Sequence, residues 1–267
     1  MSDLVVAGVQ SRQFWEDKCK NLEHFENLLE RSDLSDVDVL LFPEMFHTGF
    51  TMNAKPLAET MSQSEGVDWL KTVSTRYNCL TIASLIIEEE GLFYNRMVAV
   101  FPNGQLEKYD KMHLFSLAGE EKVFSPGMTE KILEFKGWRI KLQVCFDLRF
   151  PEGARNGIGK DGKPLYDLLV YNANWPTRRI KHWDILVPAR AVENQCYVLA
   201  VNRVGTDGNG IEYDGHSQLV DAQGEVLQKY ENSEEIVFTS VLSRTGLESL
   251  REKLAFLKDR KENVRIF

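Results

Sequence analysis

Trp138-Arg139-Ile140-Lys141-Leu142-Gln143-Val144-Cys145-Phe146-Asp147-Leu148-Arg149-Phe150-Pro151-Glu152 decides how the rest of this chain is read. Residues 138–144 alternate apolar and polar side chains, the period of a half-buried strand. Cys145 falls at its carboxyl end, and Pro151-Glu152 opens a helix, because proline suits a first helical turn. A thiol on such a strand-to-helix turn stands at the mouth of a crevice, beside N–H groups that have no helical partner. That presents a nucleophile. A free cysteine is as commonly a small buried hydrophobe, and the stretch alone leaves both readings open.

Working outward, buried strands are predicted over 4–10, 37–42, 80–87, 93–101 and 166–171, and again over 197–204, 218–220, 226–230 and 236–241. Helical spacing predicts helices over 14–31, 65–77, 181–195 (restarted at Pro188) and 247–257. Strands and helices alternate with no linker between them. The expectation is one α/β domain over residues 1–267, built from two strand-helix-strand halves. Trp15, Trp69 and Trp183 sit at helical spacing and read as core. Glu88-Glu89-Glu90-Gly91 reads as a solvated hairpin rim.

A chain of 267 residues can bury a substantial core. Its formal charge of -8, with no basic cluster larger than Arg178-Arg179-Ile180-Lys181, speaks against nucleic acid as a partner. No apolar run approaches a membrane span, and Leu4 to Val9 is too short for a signal h-region and lacks a basic start, so no secretory leader is expected. Cys19, Cys79, Cys145 and Cys196 form no C-x-x-C pair, and the five histidines show no H-x-x-x-H spacing. Neither a disulfide framework nor a metal site is expected, and the reading is a soluble, cytoplasmic protein.

Three reactive side chains lie just past strands or in the loops beside them: Glu44 after 37–42, Lys111 in 110–115, and Cys145. Converging on one crevice, they would supply a base, an electrostatic clamp and a nucleophile. Three common residue types can also fall beside strands by chance. The blocks Phe42-Pro43-Glu44-Met45, Tyr109-Asp110-Lys111-Met112-His113-Leu114-Phe115 and Val144 to Glu152 resemble, in order, the signature blocks of the nitrilase superfamily of carbon–nitrogen hydrolases. Gly119-Glu120 is similar to the second glutamate of that family. Asn174-Trp175-Pro176, 189–195 and Asn202-Arg203-Val204-Gly205 look most like the ω-amidase branch, whose members hydrolyse the terminal amide of 2-oxo acids such as 2-oxoglutaramate.

The resemblance implies a four-layer α-β-β-α sandwich, a homodimer, and no cofactor. It implies Glu44, Lys111, Cys145 and Glu120 as catalytic residues, with Glu121 a competitor for the place of Glu120. The implied reaction is hydrolysis of 2-oxoglutaramate or 2-oxosuccinamate through a thioester on Cys145. Candidate pocket walls are Phe115, Phe146 and Trp175, and Arg178 or Arg179 is the candidate anchor for a substrate carboxylate. Arg149 shares a turn with Asp147 and reads as its ion-pair partner. His113 is the one histidine placed for a Cys–His dyad. Two alternatives stay open. One is a related hydrolase of N-carbamoyl compounds, nitriles or modified peptide amides; the other is a non-catalytic binding protein on the same fold.

Overall fold

The computed structural model describes residues 2–261. The first half runs β1 (Leu4–Gln10), α1 (Lys18–Glu30), β2 (Val39–Leu41), α2 (Ala54–Leu57), α3 (Glu65–Tyr77), β3 (Leu80–Glu89), β4 (Leu92–Val100) and β5 (Leu106–Asp110). The second runs β6 (Ile132–Phe135), β7 (Trp138–Val144), α4 (Pro151–Ala154), β8 (Leu168–Ala173), α5 (Ile180–Asn194), β9 (Tyr197–Asn202), β10 (Val204–Thr206), β11 (Glu212–Asp214), β12 (Ser217–Val220), β13 (Val226–Tyr230), β14 (Ile236–Leu242) and α6 (Arg244–Lys253). Two six-stranded sheets result, ordered β14-β1-β2-β3-β4-β5 and β13-β12-β9-β8-β7-β6. Each has three parallel strands at its centre, β1-β2-β3 and β7-β8-β9, with antiparallel neighbours outside. β10 and β11 form a separate ribbon.

The period-2 alternation of the strands sorts their side chains into layers. Val6, Val39, Leu41, Ile82 and Met97 face the other sheet and join Ile140, Leu142, Val144 and Val170 in one core. Their neighbours Ala7, Leu40, Phe42, Ala83 and Leu85 face outward and bury Phe25 and Leu29 of α1 with Val67, Leu70 and Val73 of α3. On the far side Trp183, Val187 and Ala191 of α5 close over the second sheet. The fold is therefore helix, sheet, sheet, helix.

Three expectations change. Residues 138–144 form a strand as read, but it is buried on both faces: Lys141 reaches Glu130 (2.7 Å), and Gln143 accepts the Tyr171 hydroxyl (2.7 Å). The first helix starts at Lys18 and not at Phe14, because the Asp17 carboxylate accepts the Lys20 N–H (3.1 Å) and caps it there. Pro188 lies inside a continuous α5 and does not restart it. The lost N–H bond costs about 3 kcal/mol, and burial of Trp183, Val187 and Ala191 against the sheet outweighs it.

Candidate active site

The carboxyl ends of the central parallel strands in both sheets meet in one place. β2 runs into Phe42-Pro43-Glu44, and the chain turns sharply at Met45, whose φ is +44°. β7 runs directly into Cys145, whose φ is +43°. A positive φ on a side-chain-bearing residue is strained, and here it turns the thiol out of the strand line at the start of a 3-10 turn, Cys145–Arg149. The predicted helix after Cys145 is thus that turn followed by the single-turn α4.

Asp147 welds this turn to the first sheet. Its carboxylate accepts the Val144 N–H (3.0 Å), the Tyr109 hydroxyl (2.8 Å) and the His113 N–H (2.9 Å), and lies 2.8 Å from His113 Nδ1. These partners replace the expected Asp147–Arg149 pair. They also take His113 away from the thiol: its ring stacks on Phe150 with centroids 4.0 Å apart.

Lys111 follows β5, and its backbone N–H donates to the Asn95 carbonyl of β4 (3.0 Å). Gly127 packs against the Asp110 carbonyl so closely that a Cβ there would collide with it. The fully buried Lys111 ammonium donates to Glu44 Oε1 (2.9 Å) and to both oxygens of Glu120 (3.0 and 2.8 Å). Glu44 also accepts Asn95 Nδ2 (2.8 Å) and the Asn174 N–H (2.9 Å), while Asn174 Nδ2 and Gln13 Nε2 hold its backbone carbonyl. Glu120 accepts the Phe115 N–H (2.6 Å). Glu121 is exposed, so the structure brings Glu120 and not its neighbour to the lysine.

One cation between two carboxylates inside a protein leaves a net negative charge beside the thiol. Burial opposes the Lys111 charge, yet Glu120 and Glu44 outweigh it and hold the lysine pKa above its ordinary range. Burial and Glu44 raise Glu120 against the pull of Lys111. Burial, then Glu44, push the Cys145 thiol well above its ordinary value, with Lys111 opposing. The resting sulfur is protonated, and its proton must be taken as it attacks.

Cys145, 8% exposed, opens into a cavity of about 500 Å³. Phe115, Phe146, Trp175, Arg178 and Arg179 all line it, as read from the sequence. The two arginines differ: Arg178 is exposed, whereas Arg179 lies over the Phe115 ring (4.9 Å) and is half-buried. Arg149 lines it as well, with its guanidinium over Trp175 (4.7 Å) and Phe146 (5.8 Å). Among the described residues neither Arg149 nor Arg179 has a carboxylate at ion-pair distance. Burial draws both below the ordinary arginine range.

Sequence reasoning missed several contributors. Asn95 is a lone amide in an apolar strand and gave no signal. Asn174 was visible as the residue before Trp175. Trp15 is not core: the capped helix begins after it, and its ring lines the cavity with Phe50, Met52 and Tyr213. Nor is Glu89 merely solvated, since it binds Arg96 (2.8 Å) and Lys108 (3.0 Å). His216 lies 3.0 Å from Asp184, and with Glu231 they gather three possible ligand atoms within 4.8 Å. Lys229, 3.1 Å from Asp184 and paired with Glu231, already supplies that cluster with a cation.

The carbon–nitrogen hydrolase family model matches residues 5–252. The chain is 41% identical to Omega-amidase YafV of Yersinia enterocolitica over 97% of both proteins. It is 32% identical to 2-oxoglutaramate amidase of Bacillus subtilis, over 92% of this chain and 93% of that one. Its fold superimposes with a TM-score of 0.95 on XC1258 from Xanthomonas campestris, a CN-hydrolase superfamily protein whose crystal structure carries an arsenic adduct in the active site. The two are 36% identical over 99% of each chain. With Glu44, Lys111 and Cys145 of three signature blocks gathered where the central strands of the two sheets end, and the match running almost end to end, the chain belongs to the carbon–nitrogen hydrolase family.

Proposed function

We propose that this protein is an ω-amidase, hydrolysing the terminal amide of 2-oxoglutaramate and its four-carbon analogue 2-oxosuccinamate to the acid and ammonia. The observation that carries the substrate class is the pair of arginines, Arg149 and Arg179, that have no acidic partner among the described residues and stand on the wall of the cavity that holds Cys145. A guanidinium fork held without a counterion in a half-buried wall is ready for a carboxylate. Relatives named Omega-amidase and 2-oxoglutaramate amidase support the same reading.

Glu44 takes the thiol proton as sulfur attacks the amide carbon. The carbonyl oxygen gains the negative charge, facing Lys111 and the Phe146 N–H, which lies early in its 3-10 turn where no helical carbonyl reaches it. The tetrahedral adduct collapses, the C–N bond breaks, and Glu44 returns its proton to the departing ammonia. A thioester to Cys145 remains. Water then gives a proton to Glu44 and attacks the thioester carbon, and the second collapse breaks the C–S bond and reprotonates sulfur. Glu120 fixes Lys111 between two carboxylates and so holds its charge at the oxyanion position. Phe115, Phe146 and Trp175 exclude water around the acyl chain.

The working form is a homodimer in the cytoplasm. Exposed Ile185 and Val192 on α5 support this, because the neighbouring strand β13 adds exposed Val226 and Leu227. No helix among the described residues is long and apolar enough to cross a membrane.

The test is ammonia release from 2-oxoglutaramate, 2-oxosuccinamate, glutamine, a nitrile and an N-carbamoyl amino acid, with Cys145→Ala as control. The expected outcome is release from the two 2-oxo amides, reduced at least ~10³-fold in the control. Activity confined to the nitrile or the carbamoyl compound would overturn the substrate assignment.

A further inference from the structure

Arg149 has one side-chain hydrogen-bond partner among the described residues, and it is not an acid. Its Nη2 lies 3.0 Å from Nδ1 of His182, an exposed residue in the first turn of α5. A guanidinium has donors only, so the imidazole must accept. Nδ1 therefore carries a lone pair toward Arg149, and the ring proton sits on Nε2. The faces of the guanidinium are covered by Trp175 at 4.7 Å and Phe146 at 5.8 Å. Stacking fixes the plane, but a stacked fork can still rotate within that plane. One in-plane hydrogen bond removes this freedom.

The choice of acceptor matters more than its presence. A carboxylate at position 182 would hold the fork by a stronger, charge-assisted bond, but it would also neutralise the guanidinium and compete with an incoming anion. An uncharged imidazole aligns the fork and leaves the positive charge for the substrate. The charged residues just before His182, Arg178, Arg179 and Lys181, are all cationic; Asp184 two residues on is engaged by His216 (3.0 Å) and Lys229 (3.1 Å), and of the carboxylates on the cavity wall neither Glu16 nor Asp207 is at ion-pair distance from Arg149.

We propose that His182 is a positioning residue for substrate recognition: as a neutral acceptor it aligns the Arg149 fork for the carboxylate of a 2-oxo acid amide. This rests on the substrate reading above and names the device that serves it.

The experiment measures KM and kcat separately for 2-oxoglutaramate and for the neutral amide butyramide in His182→Ala, His182→Gln and His182→Asp, with Arg149→Ala as reference. His182→Ala should raise KM for 2-oxoglutaramate about fivefold to tenfold, the effect of one lost hydrogen bond to a charged group, and change kcat by less than about twofold. His182→Gln restores a neutral acceptor and should return KM to within about threefold of the parent. His182→Asp should raise KM further than alanine does, by ~30-fold, because its carboxylate fills the fork. None of these ratios should appear with butyramide. If Arg149→Ala raises KM while all three His182 variants match the parent, the positioning role is overturned and the substrate reading stands. If His182→Ala lowers kcat equally on both amides, the residue is merely structural and the proposal falls. If Arg149→Ala leaves KM for 2-oxoglutaramate unchanged, Arg149 is no anchor and the positioning role is overturned, while turnover of 2-oxoglutaramate by the parent still decides the substrate reading.

Discussion

Two regions of the site handle charge in opposite ways. On the floor, Lys111 is fully buried between Glu44 and Glu120, and every charged atom there has a partner at 2.8 to 3.3 Å. On the wall, Arg149 and Arg179 stand half-buried beside aromatic rings, with no carboxylate at ion-pair distance among the described residues. The floor cannot be left uncompensated, because a lone buried ion costs several kcal/mol and would lose its charge or its place. The wall stays uncompensated because its counterion arrives with the substrate. Chemistry is thus kept in a closed electrostatic set, and recognition in an open one.

Breaking the closed set should have the largest effect. Lys111→Met removes the one cation from between two buried carboxylates. It should lower kcat by ~10²- to 10³-fold and cost about 3–5 kcal/mol of stability, the price of stranding buried charge. Adding Glu120→Gln should recover much of the stability and none of the activity. Thermal unfolding and turnover measured on the same samples decide it: a double variant no more stable than Lys111→Met would mean the two groups are not coupled.

The closed set was legible in the sequence and the open set only partly. Glu44 and Cys145 each follow a strand whose period is plain in the sequence, whereas Lys111 follows the mostly polar Leu106–Asp110 and is placed by its motif block alone. Arg149 was misread because its apparent partner, Asp147, is taken by Tyr109 and His113, residues 34 to 38 positions earlier in the chain. Spacing shows neighbours along the chain, and the competition for Asp147 is settled by neighbours in space. Trp15 was lost for a more local reason. Its spacing suits a helix, but the N-cap at Asp17 starts the helix at Lys18, past Trp15, and capping overrode periodicity. Asn95 could not have been found: it is a single amide between Tyr94 and Arg96, and only the pairing of β4 with β3, and of β3 with β2, brings it to Glu44.

The open set is sharpened by comparing one of its members, Arg179, with Arg178, its neighbour along the chain. Arg179 is half-buried over Phe115, and Arg178 is exposed next to it. Arg179→Ala should raise KM for 2-oxoglutaramate about threefold to tenfold with little change in kcat, since a partly desolvated guanidinium meets the carboxylate in a poorly screened setting. Arg178→Ala should change KM by less than about twofold, because exposed charges contribute little. The reverse order would move the anchor to the rim and remove the contrast between floor and wall.

The smallest effect concerns a carboxylate that is compensated like the floor but takes no part in the site. Glu59 accepts Lys18 Nζ (2.8 Å) and the Ser64 hydroxyl (2.5 Å) and lies 3.3 Å from His47 Nε2. Burial pushes its pKa up, but His47, Lys18 and Ser64 outweigh burial and hold it at about 2, against an ordinary value of 4.5. A folded value below the unfolded one means stability that is complete above pH 4.5 and lost as the pH falls from 4.5 through about 2. Glu59→Gln removes that contribution at every pH. Its deficit against the parent at neutral pH should be about 1–2 kcal/mol, or ~2–6 °C in Tm, and should shrink to a small remainder by pH 2, where about half of the parent's carboxylate has taken up its proton. Melting curves from pH 7 to pH 2 test the sign directly. A gap that persists undiminished in acid would mean that Glu59 acts through its shape and packing and not through its charge, and compensation of buried carboxylates would then be a property of the catalytic floor alone.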